Sequence, residues 1–364
     1  MLTQVQSGML QTTAQYYGFK NRIINGEFLI SQYNGTTAIT AVHNSYCIDR
    51  FVPFLDASGY FTVGQNLNSV TPPTGFTTYL GVSSLATYAQ SGANRFAMRM
   101  KAEGYTIRDF AWGTSSAKAV TLSFWAYSSQ TGTYGGSLQQ GTGGYNYAFS
   151  YTISAVNTWQ FFTISVPGPT SGSGSWVTNS NTGMTLWLDL GSGTSNQSAA
   201  NTWGVTGLAP TGSATILSSI GTTLYWAGMT LEVGTQATSF DYRPYGTELA
   251  LCQRYAIVFA GDQSNSQIAT AQPAPNTSST AALVIFPTTM RATPTLAYSA
   301  LSDFSSTNNQ SGYVPTALSI YTNGSSTKTG SLSATLASTY NTTGYPYYIY
   351  ATSTSSKLTF SAEL

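Results

Sequence analysis

Six aromatic residues lie in polar stretches rich in Gly, Ser, Thr and Asn: Trp112, Tyr134, Tyr145, Tyr147, Trp176 and Trp203. Aromatic faces stack on pyranose rings, and nearby Asn, Gln, Asp and Tyr supply hydrogen bonds, so these residues are candidates for holding a glycan. Near the C-terminus, TTGYPYYIYATS adds Tyr345 and Tyr347. Tyrosine offers rigid, amphipathic contact area. Because Tyr347 and Tyr348 alternate on a strand, one side of that run is free for a ligand or for a subunit interface. Trp125, Trp159, Trp187 and Trp226 fall in strand-like runs and read as packing residues.

Catalytic chemistry has little material. The single histidine, His43, lies in ITAVHNSY with no nucleophile elbow. One histidine excludes a multi-histidine zinc site and leaves one candidate for a Ser-His-Asp triad. Glycoside hydrolysis needs two carboxylates about 5–10 Å apart. Asp189 stands on an apolar strand, and no spacing requires Glu103 or Asp109 to meet it. The chain therefore reads as non-enzymatic.

The segment 224–255 gathers Glu232, Asp241 and Glu248 with Arg243 and Arg254. Asp49, Arg50, Glu232, Asp241 and Arg243 are structural ion-pair candidates, with Glu27 and Arg22 as further partners, because buried charges require partners. The alternative for Glu27, Glu232 and Asp241 is a structural Ca2+ held by carboxylate and carbonyl oxygens. No other cofactor is expected. Cys47 and Cys252 sit in apolar contexts and read as buried free thiols, with a bridge between them left open.

Charged residues make up 7% of the chain, against about 25% in ordinary soluble domains. Between Ala111 and Leu231 only Lys118 and Asp189 are charged. The net charge is +1 and no basic stripe exists, so nucleic-acid binding has no electrostatic footprint. The N-terminus lacks the basic and apolar regions of a secretory signal, and no apolar run approaches the ~20 residues of a membrane helix. Synthesis in a cytoplasm without Sec-type export or membrane insertion is expected. The 25 Tyr, 17 Phe and 7 Trp argue for folded β-structure against disorder.

The fold class expected is all-β: an antiparallel jelly-roll sandwich, then a smaller β-sandwich, with a short N-terminal arm. Residues 1–20 form the arm, 21–245 the jelly roll, 246–255 a short helical linker, and 256–364 the second sandwich. RIINGEFLI, RFAMRMKAE, AVTLSFWAYSS, TWQFFTISVPG, MTLWLDLG and TLYWAGMTLEVG read as strands of the first sandwich. Loops are expected at about 130–144, 168–183 and 191–222. Seven strand-like runs follow after Tyr255, and TELALCQR reads as a helix with Glu248 early and Arg254 late.

Three segments together resemble virion fibre and appendage proteins of tailed bacteriophages. The first is KNRIINGEFLISQYNGTT followed by SYCIDRF, carrying Asn25, Gly26, Gln32, Asp49, Arg50 and Phe51. The second is NTWQFFTISVPGPTSG. The third carries Leu231 to Gly234, Phe240, Tyr242 to Pro244 and Cys252 to Tyr255; MRATPTL in the last domain adds to it. The resemblance implies a virion structural protein whose first domain is similar to jelly-roll carbohydrate-binding modules. It implies a homotrimer that binds other virion proteins through its N-terminal arm. A tail-fibre adhesin binding host-surface polysaccharide is the reading it favours. The alternatives are a capsid decoration or head-fibre protein with a stabilising role, and a polysaccharide depolymerase. Deleting residues 1–20 is expected to leave folded protein that no longer joins particles; normal incorporation of the truncated chain into virions refutes the arm assignment.

Overall fold

Alternation of apolar and polar residues in this chain becomes sheets with one face turned to a common core. The computed structural model describes residues 19–364 apart from 90, 172–175, 206, 261–264, 274–277, 308–311 and 339–346. The attachment arm up to residue 18 and Tyr345 lie outside the described residues. The chain divides into two compact units that meet between Tyr245 and Gly246.

Among the described residues the first unit contains fourteen strands. They are β1 (Ile39–Thr40), β2 (Phe51–Leu55), β3 (Phe61–Gln65), β4 (Leu80–Ser84), β5 (Phe96–Glu103), β6 (Val120–Ser128) and β7 (Gly132–Gln140). Then come β8 (Asn146–Ile153), β9 (Gln160–Val166), β10 (Thr182–Asp189), β11 (Gln197–Ser198), β12 (Thr202–Gly204), β13 (Ala209–Pro210) and β14 (Thr223–Val233). One six-stranded sheet has the order β1-β3-β4-β14-β6-β9, the other β12-β8-β7-β10-β5-β2. Every pairing within these two sheets is antiparallel. Both contribute to one core, as in a jelly-roll sandwich: Val120, Leu122, Phe124 and Trp226 from the first, Phe96, Met98, Met100 and Leu186 from the second. The Trp226 indole N–H donates to the Tyr151 hydroxyl at 3.1 Å across the interior.

Two expectations need correction. The run 22–30 is not a strand; it is a buried segment of turns, with Asn25 and Phe28 at positive φ. Asparagine side chains take the place of a strand partner there. The Asn25 amide donates to the carbonyls of Ile30 and Asp49 and accepts from the Ile30 N–H. The Asn21 amide donates to the Met229 carbonyl at 2.9 Å and accepts from the Leu231 N–H at 3.0 Å. This ties the segment to β14.

The loop expected at 130–144 is mostly β7, paired on both sides with β8 and β10. Its glycines are packing positions rather than breakers: a Cβ on Gly136 would stand 1.9 Å from the Trp187 carbonyl oxygen. Close neighbouring backbones therefore outweigh the poor strand propensity of glycine.

In the second unit, helix α1 (Tyr245–Gln253) leads from the unit boundary into ten strands among the described residues. These are β15 (Ala256–Ala260), β16 (Ser266–Pro273), β17 (Ser279–Ile285), β18 (Thr295–Tyr298), β19 (Phe304–Thr307), β20 (Gly312–Tyr313), β21 (Ala317–Ile320), β22 (Thr329–Thr335), β23 (Tyr347–Ala351) and β24 (Lys357–Ser361). They form sheets of order β15-β24-β18 and β20-β19-β23-β16-β17-β22-β21. Ile257, Val284, Leu332, Ile349 and Phe360 belong to their shared core. No helix among the described residues is long and apolar enough to cross a membrane.

Asp241 lies 3.8 Å from Arg243, a pairing within the candidate set, while the other candidates take different partners. Glu232 lies 3.9 Å from Lys20, and Arg22 contacts Asp109 at 2.7 Å. Asp49 is buried and accepts from the Gln32 N–H at 2.7 Å and the Gln32 side-chain amide at 2.5 Å. Arg50, buried at φ 70°, donates to the Lys101 carbonyl. Among the described residues no three His, Cys, Asp or Glu side chains gather as metal ligands. Cys47 and Cys252 are both buried thiols, with no disulfide between them.

Burial pushes the Asp49 carboxyl up to about 6, against the lowering effects of Gln32 and Arg50. A folded-state value above the unfolded one means the folded protein binds the proton more readily. Asp49 therefore contributes stability that grows as pH falls from about 6 towards 4. Asp49→Asn is expected to reduce this acid-side gain in melting temperature, read across a pH series. Asp49→Ala leaves the Gln32 donors unpaired and is expected to cost about 1–3 kcal/mol. Unchanged melting in both variants removes Asp49 from this role.

Candidate functional site

The structure gathers five of the six loop aromatics. Trp112 lies 4.9 Å from Trp176 and 5.4 Å from Trp203, ring centre to ring centre. Trp203 stacks on Tyr145 at 5.3 Å and meets Tyr147 at 5.4 Å. These rings spend their faces and edges on one another. The indole N–H groups of Trp112 and Trp203 donate to the Lys118 and Pro167 carbonyls.

Trp112, Tyr134, Tyr147 and Tyr347 are buried, which corrects their assignment as glycan-facing residues. Tyr134 lies on β7, where its hydroxyl donates to the Gln130 carbonyl at 3.0 Å. Tyr347 alternates inward on β23 into the second core. Trp176, Trp203 and Tyr145 are half-buried.

A different set of rings encloses open space. Alternation on β6 sends Val120, Leu122 and Phe124 into the core and leaves Ser123 and Trp125 on the outer face of the sheet. Register then builds a floor. Trp125 pairs with Ala227 on β14 and with Phe161 on β9, and Ser123 pairs with Thr230. Trp125 and Phe161 are 5.3 Å apart, and Phe161 is 49% exposed, so a ring face is available at the β9 edge.

The β14 register shifts between Ala227 and Thr230, where Gly228 takes φ +58°. A bulge of this kind bends the strand and re-aims its side chains. Phe76 lies over Gly228: a Cβ there would stand 2.3 Å from its ring. Phe76 packs with Phe240 at 5.1 Å and Tyr242 at 5.7 Å, forming a wall. The Tyr242 hydroxyl donates to the Gly75 carbonyl at 2.9 Å, and burial, then the nearby Glu27 carboxylate, raises its pKa.

Thr238 and Ser239 complete the lining of a cleft of about 380 Å3. Glu232 holds Thr238 in place, accepting from its N–H at 2.8 Å and its hydroxyl at 2.7 Å. Lys20 donates to the Thr238 hydroxyl and the Ser239 carbonyl.

The cleft thus combines five aromatic rings with four hydroxyl side chains, and none of its lining residues is charged. Such a surface can stack on a ring of similar size and exchange hydrogen bonds with it, since serine and threonine both donate and accept. It offers no carboxylate pair. Asp189 is buried elsewhere, accepting from the Ser192 N–H and the Ser213 hydroxyl. His43 accepts from the Leu55 N–H through Nδ1 at 3.0 Å.

Trp125 packs against a small cluster of Leu67, Tyr79, Tyr225 and Ala227, as its reading as a packing residue expects, and it also lines this cleft. The signal for the second role was its place opposite the core-facing residues of its own strand.

No family model and no curated protein matches the sequence. Among solved structures, an arabinose-bound α-L-arabinofuranosidase is similar over 59% of this chain and 26% of its own, at 11% identity and TM-score 0.33. The enzymatically active domain of tailspike protein 4 of bacteriophage CBA120 is similar over 59% of this chain and 21% of its own, at 11% identity and TM-score 0.31. The family 11 carbohydrate-binding module of a cellulosomal cellulase of Clostridium thermocellum is similar over 57% of this chain and 100% of its own, at 13% identity and TM-score 0.26. At these scores the overlaps bear on no residue of the cleft.

Gly228→Ala imposes a left-handed backbone on alanine and drives a methyl into Phe76. A loss of order 1–3 kcal/mol is expected in denaturant unfolding. Unchanged stability shows that the bulge and Phe76 relax freely and do not set the wall.

Proposed function

We propose that this chain is a non-enzymatic virion structural protein, a tail-fibre or adhesin subunit that binds host-surface glycan through the cleft between Trp125, Phe161 and the Phe76 wall. The observation that carries this reading is an aromatic-walled space on the outer face of the sandwich, edged by the exposed Thr238 and Ser239. Aromatic side chains dominate binding energy where they enclose a ligand, and small-ligand sites combine apolar walls with a few polar groups. The virion assignment draws its support from the sequence resemblance across the first domain. The absence of any carboxylate among the lining residues supports binding without hydrolysis. A single shallow cleft binds weakly; three copies on one fibre raise the effective concentration and so the avidity.

The test is binding of purified full-length protein to host cells and to a glycan array, with Trp125→Ala and Phe161→Ala beside the parent. Each variant is expected to bind about tenfold or more weakly, a change of about 1.4 kcal/mol or more, while still unfolding cooperatively. Binding retained in both but lost in Trp203→Ala moves the site to the five-ring cluster. No binding to any glycan or cell overturns the adhesin reading.

A further inference from the structure

We infer that the cleft selects a neutral glycan segment and rejects acidic sugars such as uronates; this deepens the glycan-binding reading and rests on it. The lining contains no cation to meet a carboxylate. One carboxylate stands close behind it. Glu232 accepts from both the N–H and the hydroxyl of Thr238.

The neighbouring cations are held in ion pairs beside the cleft. The Lys20 ammonium lies 3.9 Å from Glu232 and donates to the Thr238 hydroxyl and the Ser239 carbonyl. Arg243 faces Asp241 at 3.8 Å, donates to the Asn21 carbonyl and lies over the Phe19 ring.

A uronate entering this space would lose water against aromatic walls and meet no charged group among the lining residues to replace it. Burying a charge without a partner is costly. A neutral pyranose presents an apolar face to Trp125 or Phe161, and hydroxyls that both donate and accept to the exposed Thr238 and Ser239, whose side chains do the same. The same chemistry removes long-range electrostatic attraction from the binding, so affinity should be insensitive to salt.

The experiment compares neutral polysaccharides with matched carboxylated counterparts in which the primary alcohol is oxidised to a uronate. Full-length protein is the binder, at low and high sodium chloride, with Trp125→Ala and Ser239→Lys alongside. The expected result has four parts: neutral chains bind, their uronate counterparts bind at least about tenfold more weakly, salt leaves the neutral affinity unmoved, and Ser239→Lys narrows the gap by placing a cation at the exposed rim. Uronates bound more tightly than their neutral counterparts, with that binding lost in Trp125→Ala and weakened by salt, overturn the neutral selectivity while the glycan site stands. No binding of either class overturns the glycan reading and this inference together.

Discussion

The bulge in β14 is the constraint on which the first unit depends. Residues before it send Leu224 and Trp226 into the core; residues after it send Met229 and Leu231 there. An uninterrupted two-residue alternation cannot do both, so one extra residue must be absorbed, and Gly228 absorbs it at φ +58°. The same irregularity frees space on the outer face, and Phe76 fills it. One backbone feature therefore serves core packing on one side and the cleft wall on the other.

The segment 21–30 secures that bulge from the chain's other end. The Met229 N–H donates to the Gly26 carbonyl at 2.8 Å, and the Met229 carbonyl accepts from Asn21. A Cβ on Gly26 would lie 2.1 Å from the Met229 carbonyl oxygen, so only glycine permits this approach. In a chain with 7% charged residues, neutral amides do the work usually shared with ion pairs. Asn21 and Asn25 satisfy several buried backbone groups between them, and an unpaired buried group of that type costs about 1–3 kcal/mol.

Much of the architecture was legible in local patterns. Phe96, Met98 and Met100 alternate, and so do Val120, Leu122 and Phe124, because a strand half-buried in a sandwich needs one apolar face. Helix α1 was visible in TELALCQR through its ends and composition. β7 was not legible: GTYGGS is poor in strand formers, and only the close approach of the Trp187 backbone and the Phe149 ring explains its glycines. The run 22–30 misled for the opposite reason. Its apolar residues are buried, yet asparagine side chains supply the hydrogen bonds a neighbouring strand would have given.

By itself the sequence determined an all-β chain with little charge, scant catalytic material and abundant aromatics, because composition and two-residue alternation act locally and survive any arrangement of the strands. Only the tertiary structure decided which aromatics are used up and which enclose space. Trp112, Trp203 and Tyr145 are polar-loop residues in sequence, yet they pack on one another. Trp125, Phe161, Phe76, Phe240 and Tyr242 come from segments up to 166 residues apart (Phe76 to Tyr242), and they meet because register places β14, β6 and β9 side by side. Exposure of a ring depends on what the rest of the chain leaves uncovered, and that is a property of the packed sheets rather than of any local window.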